Sequence, residues 1–160
     1  MASLCAVGPL TRPAARTFHR WSHLGVRRTV ERVQMSTARI LMIGLQPNAL
    51  DYSKHPGLDE ATLTARIEAG NAALRAAGFG AVSCQIPADP AQAETQIREH
   101  LADGPFDLVM IGAGVRVDIT YTLLFERIIN VVAEAAPGIR FCFNTAPENT
   151  GDTLSRWVTP

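Results

Sequence analysis

Asp89-Pro-Ala-Gln-Ala-Glu-Thr-Gln-Ile-Arg-Glu-His-Leu-Ala-Asp-Gly104-Pro-Phe-Asp-Leu-Val-Met-Ile-Gly112 reads as one helix followed by one strand. Asp89 is a helix-capping residue, Pro90 suits the first helical position, and Gln92 three residues on completes a capping box. Ala93, Ile97 and Leu101 recur at helical spacing and supply the buried stripe. Gly104-Pro105 stops the helix, and 106–112 is a short apolar run without alternation. Such a run is expected of a strand covered on both faces, and covered strands belong to parallel sheets with helical crossovers.

The same unit recurs on both sides. Upstream, 39–44 is an apolar run ending in Gly44, and 46–58 is a loop marked by Pro47, Asn48, Pro56 and Gly57. Asp59 caps a helix whose Leu63, Ile67 and Leu74 share a face, and Gly78 closes it; 81–86 is the next strand. Downstream, Asp118 or Thr120 caps a helix over 121–135, Pro137-Gly138 stops it, and 139–144 is the fourth strand. A short helix follows over about 151–158. Four βα units predict a small three-layer α/β sandwich with a mostly parallel sheet. Its expected strand order is 2-1-3-4, flavodoxin-like or Rossmann-like.

Tyr121, Leu124, Phe125, Ile128, Ile129, Val131, Val132 and Ala135 occupy about half the circumference of the third helix. A helix resting on a sheet needs a stripe of only about 100°. The surplus, with the apolar edge Phe141-Cys-Phe143, is expected either to pack internally or to form a homodimer through 121–135 and 139–144.

At 160 residues there is room for one domain, and the net charge is zero. The balance gives no general affinity for nucleic acid or anionic membranes. It hides an asymmetry: residues 1–35 carry six arginines against Glu31, leaving +5, whereas the remainder has nine basic and fourteen acidic groups, leaving −5. The basic segment reads either as an organelle transit peptide or as sequence upstream of a start at Met35, with the domain over 36–160. Cys5, Cys84 and Cys142 lack metal-ligand spacing, and two of them sit in apolar strands. That usage indicates a reducing compartment, cytoplasmic or, with a transit peptide, the mitochondrial matrix. No apolar run reaches the roughly 18 residues of a membrane span.

Ligands of open parallel sheets bind beyond the carboxyl ends of the strands, where strand order reverses. Three polar segments fall there: Gly44–His55, Gly112–Asp118 and Asn144–Asn149. In the second, Gly112 and Gly114 allow close backbone approach, the next helix offers unpaired amides, and Arg116 supplies a forked cation. The expectation is a site for a small anionic group, phosphate or carboxylate. Alternatively the glycines only shape a turn while Arg116 pairs with Glu126 or Glu148. Glu126 and Asn130, four apart, either reach the Arg116 loop or form a solvated face. Asn144 and Thr145 are turn formers or ligand contacts. His55 and Glu126 are the candidates for proton transfer, with a purely structural His55 as the alternative. No metal site is indicated.

Several marked chemistries are missing. Gly44-Leu-Gln-Pro-Asn-Ala has no dinucleotide-binding turn, and neither a P-loop nor a Gly-x-Ser-x-Gly elbow occurs. Val109-Met-Ile-Gly-Ala-Gly-Val-Arg116, Leu124-Phe-Glu-Arg-Ile-Ile-Asn130 and Phe143-Asn-Thr-Ala-Pro147 are similar to segments of a group of small Rossmann-like α/β proteins. The resemblance spans about residues 38–158. It implies a Rossmann-like sandwich and adds weight to Arg116, Glu126, Asn130, Asn144 and Thr145, but it implies no activity or cofactor. The leader lies outside it, which favours Met35 as the domain's beginning. The functional expectation is a pocket for a small anionic molecule. A dimeric interaction or sensor module is the alternative, and a nucleotide-dependent oxidoreductase a second one.

Overall fold

Asp89 caps its helix as expected: the carboxylate accepts from the Gln92 amide at 2.9 Å, and Pro90 takes the first helical position. Only half of the capping box forms, because the Gln92 side chain makes no return bond to the Asp89 amide. The structure is a computed structural model describing residues 38–160, so the reading of 1–35 as a leader lies outside the described residues. Its strands are β1 (Arg39–Leu45), β2 (Gly80–Ile86), β3 (Leu108–Ile111) and β4 (Arg140–Phe143). The helices are α1 (Glu60–Ala76), α2 (Pro90–Ala102), α3 (Thr122–Ala135) and α4 (Thr150–Ser155). All strand pairs are parallel and the order is β2-β1-β3-β4, the topology the alternation predicts.

Strands three and four are shorter than their apolar runs, for local reasons. At the start of β3 the Asp107 carboxylate accepts from the Arg39 amide at 2.8 Å, so a side chain stands in for a ladder partner. Past β4, Asn144 leaves the ladder to bind the loop after β3. The last helix is also displaced, covering Thr150–Ser155 rather than 151–158.

Side chains alternate across the sheet and build two unequal cores. On one face Leu41, Ile43 and Leu45 join Cys84, Ile86, Val109 and Ile111 beneath α2 and α3. Each fully buried aliphatic residue there is worth about 1.5–3 kcal/mol relative to exposure. The other face, beneath α1 and α4, is smaller: Ile40, Met42, Leu108, Met110 and Cys142 pack against Leu74, Phe79 and Leu154.

The breadth of the apolar face of α3 has an internal explanation. Leu124, Ile128, Val131 and Val132 are buried against the sheet and against Ala93 and Ile97 of α2, and Phe125 meets Phe143 edge-on at 6.3 Å. Outside this seam Arg127 donates to Glu94 at 2.7 Å and Arg98 to Glu134 at 2.6 Å. The carbonyl of Phe143 accepts from Arg156 at 3.3 Å, so part of β4 is met within the chain as well.

Helix α1 ends where Gly78 adopts φ +88°, with the Gly78 amide bonded to the Arg75 carbonyl and the Phe79 amide to the Leu74 carbonyl. This cap places Leu74 and Phe79 together in the smaller core. Gly78→Ala forces a side chain into the left-handed region and is expected to cost about 1–3 kcal/mol. Thermal unfolding should show Tm lower by several degrees, and an unchanged Tm would contradict the capping role.

Candidate functional site

On the α1 face the packing stops one rung short of the strand ends. The last buried rung runs Met42, Met110 and Cys142 on β1, β3 and β4, and Ser83, their neighbour on β2, is exposed. The next runs Gln85, Gly44, Gly112, Asn144, with the two glycines side by side in the middle. A Cβ on Gly112 would lie 3.7 Å from the Gly44 Cα, whereas one on Gly44 would meet nothing within 4 Å. Above this floor α1 buries only Leu74; Leu63 and Ile67, expected on its core face, are half-buried. Between floor and helix lies a cavity of about 280 Å³.

Its walls come from three loops. The loop after β1 contributes Leu50, His55 and Leu58, the loop after β3 Gly112, Gly114 and Val117, and the loop after β4 Asn144 to Pro147. Most of this lining is apolar. Asn71, Ser83 and Gln85 also line it, and their side chains make no hydrogen bond among the described residues. Ser83 is exposed in mid-strand although Cys84 beside it is fully buried, because the space above it is open.

Helix α1 is held over the cavity at two places. Arg66 forms a two-pronged pair with Glu148, its Nη2 at 2.9 Å from the carboxylate. One turn on, Gly70 lets the helix approach so closely that a Cβ would lie 3.4 Å from the Pro147 carbonyl oxygen. At the other side Lys54 Nζ meets Asp118 at 2.6 Å, tying the loop before α1 to the loop after β3. Hydrogen bonds from Lys54 and from the Thr120 amide and hydroxyl pull the Asp118 carboxyl well below its usual range. Glu148 is lowered to about 2, chiefly by its bond with Arg66.

The residues singled out from sequence fall into two groups. His55, Gly112, Gly114, Asn144 and Thr145 are brought together around the cavity. Arg116, Glu126 and Asn130 are not. Arg116 turns toward β4, where Nη2 donates to the Asn144 carbonyl and the guanidinium stands 5.2 Å over the Phe143 ring. It pairs with neither Glu126 nor Glu148; Glu148 belongs to Arg66. Glu126 and Asn130 face a separate groove between α2 and α3. A 3-10 turn, Ile119–Tyr121, stands between Asp118 and α3, and Asp118 caps that turn, accepting from the Thr120 amide at 2.9 Å, while the N-terminus of α3 has no side-chain cap.

Asn144 has a structural task. Its Oδ1 accepts from the Ala113 amide at 3.0 Å and its Nδ2 donates to Thr150 Oγ1 at 2.8 Å, so one buried amide joins the β3 loop to α4. Thr145 Oγ1 is bonded by Asn149 Nδ2. Both cysteines are poor nucleophiles: burial pushes Cys84 up to about 12 and Cys142 up to about 11. Arg66, Asn71, Ser83, Gln85 and Gly44 were not singled out from sequence. Period-two register would have put Gly44 and Gln85 on one rung, but Arg66 and Asn71 lie on a helix face that sequence reading assigns to the core.

No protein-family model, curated protein or solved structure matches the chain. Among the described residues no helix is long and apolar enough to cross a membrane, and no group of three or more acidic, histidine or cysteine side chains is placed to hold a metal.

The Arg66–Glu148 pair is exposed, so it should contribute about 0.2–1 kcal/mol. Its sign with pH follows from the lowered carboxyl. The contribution is complete above the ordinary value of 4.5 and fades as pH falls toward about 2. Denaturant titrations of wild type and Arg66→Met should therefore differ at pH 7 and converge near pH 2. A gap that persists in acid would show that Arg66 acts through packing alone.

Proposed function

We propose that the protein binds a compact small molecule in the cavity over the carboxyl ends of its strands, with α1 as the cover. One observation carries the reading: the face of the sheet beneath α1 is left unfilled at Gly44, where a side chain would meet no atom within 4 Å. Interiors normally pack to crystalline density, so a cavity of this size flanked by unbonded polar side chains reads as a place for a ligand rather than an accident of packing. At about 280 Å³ it lies near the lower end for small-molecule sites, which favours a single-ring or two-ring compound over a dinucleotide. Its position at the reversal of strand order supports the reading further.

The expected anchor, Arg116, lies outside the lining, so binding in this reading does not pass through it. Arg66 is the arginine that reaches the cavity, and Glu148 already engages it. His55, at the mouth beside Leu58, is the one candidate proton-transfer group on the lining among those named from sequence.

Gly44→Leu tests the reading with little risk to the fold, because the residue has ordinary backbone angles and open space above it. Thermal-shift screening of small heteroaromatic and carboxylic compounds should find some that stabilise wild type. Saturation at 100 times the dissociation constant adds about 2.7 kcal/mol. Gly44→Leu should fold with Tm equal or higher and lose that response. Compounds that stabilise Gly44→Leu as strongly as wild type bind elsewhere and would refute the assignment.

A further inference from the structure

We infer that the molecule taken by this cavity is uncharged and presents an amide-type edge, donor beside acceptor, as in a lactam or a carboxamide. The inference rests on the cavity being a ligand site and adds the class of ligand.

Charge is the first argument. The lysine and arginines around the mouth are already engaged: Arg66 with Glu148, Lys54 with Asp118, and Arg116, itself outside the lining, with the Asn144 carbonyl. Glu148 already neutralises Arg66, the arginine of the lining, so an entering carboxylate or phosphate would meet no uncompensated cation there and would lie close to a carboxylate. A desolvated, unpaired anion is costly.

The second argument is a set of polar side chains without a protein partner. Ser83, exposed in mid-strand, and the half-buried Gln85 and Asn71 bring neutral groups to a mostly apolar lining. A hydroxyl and two carboxamides offer donors and acceptors together. A hydrocarbon would leave all of them unbonded, and an anion, which only accepts, would leave the amide oxygens facing oxygen. An N–H next to a C=O answers both kinds of group at once. A site built this way discriminates strongly against a ligand that lacks the matching group.

Geometry then gives the orientation. Ser83 and Gln85 are two residues apart on the same face of β2, hence roughly 6.6 Å apart along the strand. Met42 and Gly44 are their register partners on β1, so a ligand lying on the Gly44 floor has its edge against β2. The floor lacks a side chain there, and Leu63 and Ile67 of α1 lie above it. A flat ring fits this slot, and the thioethers of Met42 and Met110 suit an aromatic one.

The test uses isosteric probes on the whole chain: benzamide and 2-pyridone against benzoate and phenyl phosphate, followed by amide shifts in 1H–15N spectra at neutral pH. Benzamide and 2-pyridone should perturb Ser83, Gly44 and Gln85, with benzamide binding about tenfold more tightly than benzoate, the effect of one well-placed hydrogen bond. Ser83→Ala with Gln85→Met should remove that preference while keeping a dispersed spectrum. Benzoate or phenyl phosphate binding in the cavity as tightly as benzamide would overturn the uncharged class and leave the cavity as a ligand site. If no probe shifts these amides at millimolar concentration, the site itself fails, and the inference with it. The comparison among probes on wild type does not depend on either variant folding.

Discussion

Gly44 and Gly112 stand next to each other at the carboxyl ends of the two central strands, and neither fills the space above it. Every feature of the upper half of that face follows from this vacancy. Leu63 and Ile67 cannot reach a floor of side chains, so α1 is carried over a void for its first two turns and settles onto the sheet only at Leu74. On the opposite face the apolar rungs continue to Leu45, Ile86 and Val115, and α2 and α3 pack along the full height of the strands. Stability is therefore concentrated on one side of the sheet and space on the other.

A helix spanning a void must be held by its edges. The polar contacts around the cavity do that: Arg66 with Glu148, the close approach at Gly70, and Lys54 with Asp118. Each joins the segment covering the cavity to a loop leaving β3 or β4. Ion pairs near the surface are weak and sensitive to salt, so the cover is held by such contacts rather than by core packing. Regions held this way open more readily than the core.

The elements themselves were readable in the chain. Asp59 and Asp89 cap where expected, Asp118 caps the 3-10 turn Ile119–Tyr121 ahead of α3 rather than α3 itself, Gly78 ends α1, and four apolar runs separated by helices imply the 2-1-3-4 parallel sheet that is observed. These features are local, set by capping chemistry and by periods of 3.6 and 2, so adjacent residues carry enough information to show them. The end of the sheet that carries the cavity was also legible, because it follows from topology alone. His55, Gly112, Gly114, Asn144 and Thr145, which border the cavity, were named by that route.

The direction of each long side chain was not legible. Arg116 leaves a loop that borders the cavity, yet it reaches across to the Asn144 carbonyl and the Phe143 ring, partners distant in sequence. Arg66, on a helix face that reads as core-facing, becomes the arginine of the cavity because Glu148 is brought to it by the turn after β4. Periodicity assigns a residue to a face, but it cannot say whether that face meets a filled or an empty rung opposite. Sequence by itself therefore determined the strands, the helices, their order and the end that carries the loops. Tertiary packing alone decided which arginine borders the space and that the space exists, because both depend on the two glycines being neighbours on strands about seventy residues apart in the chain.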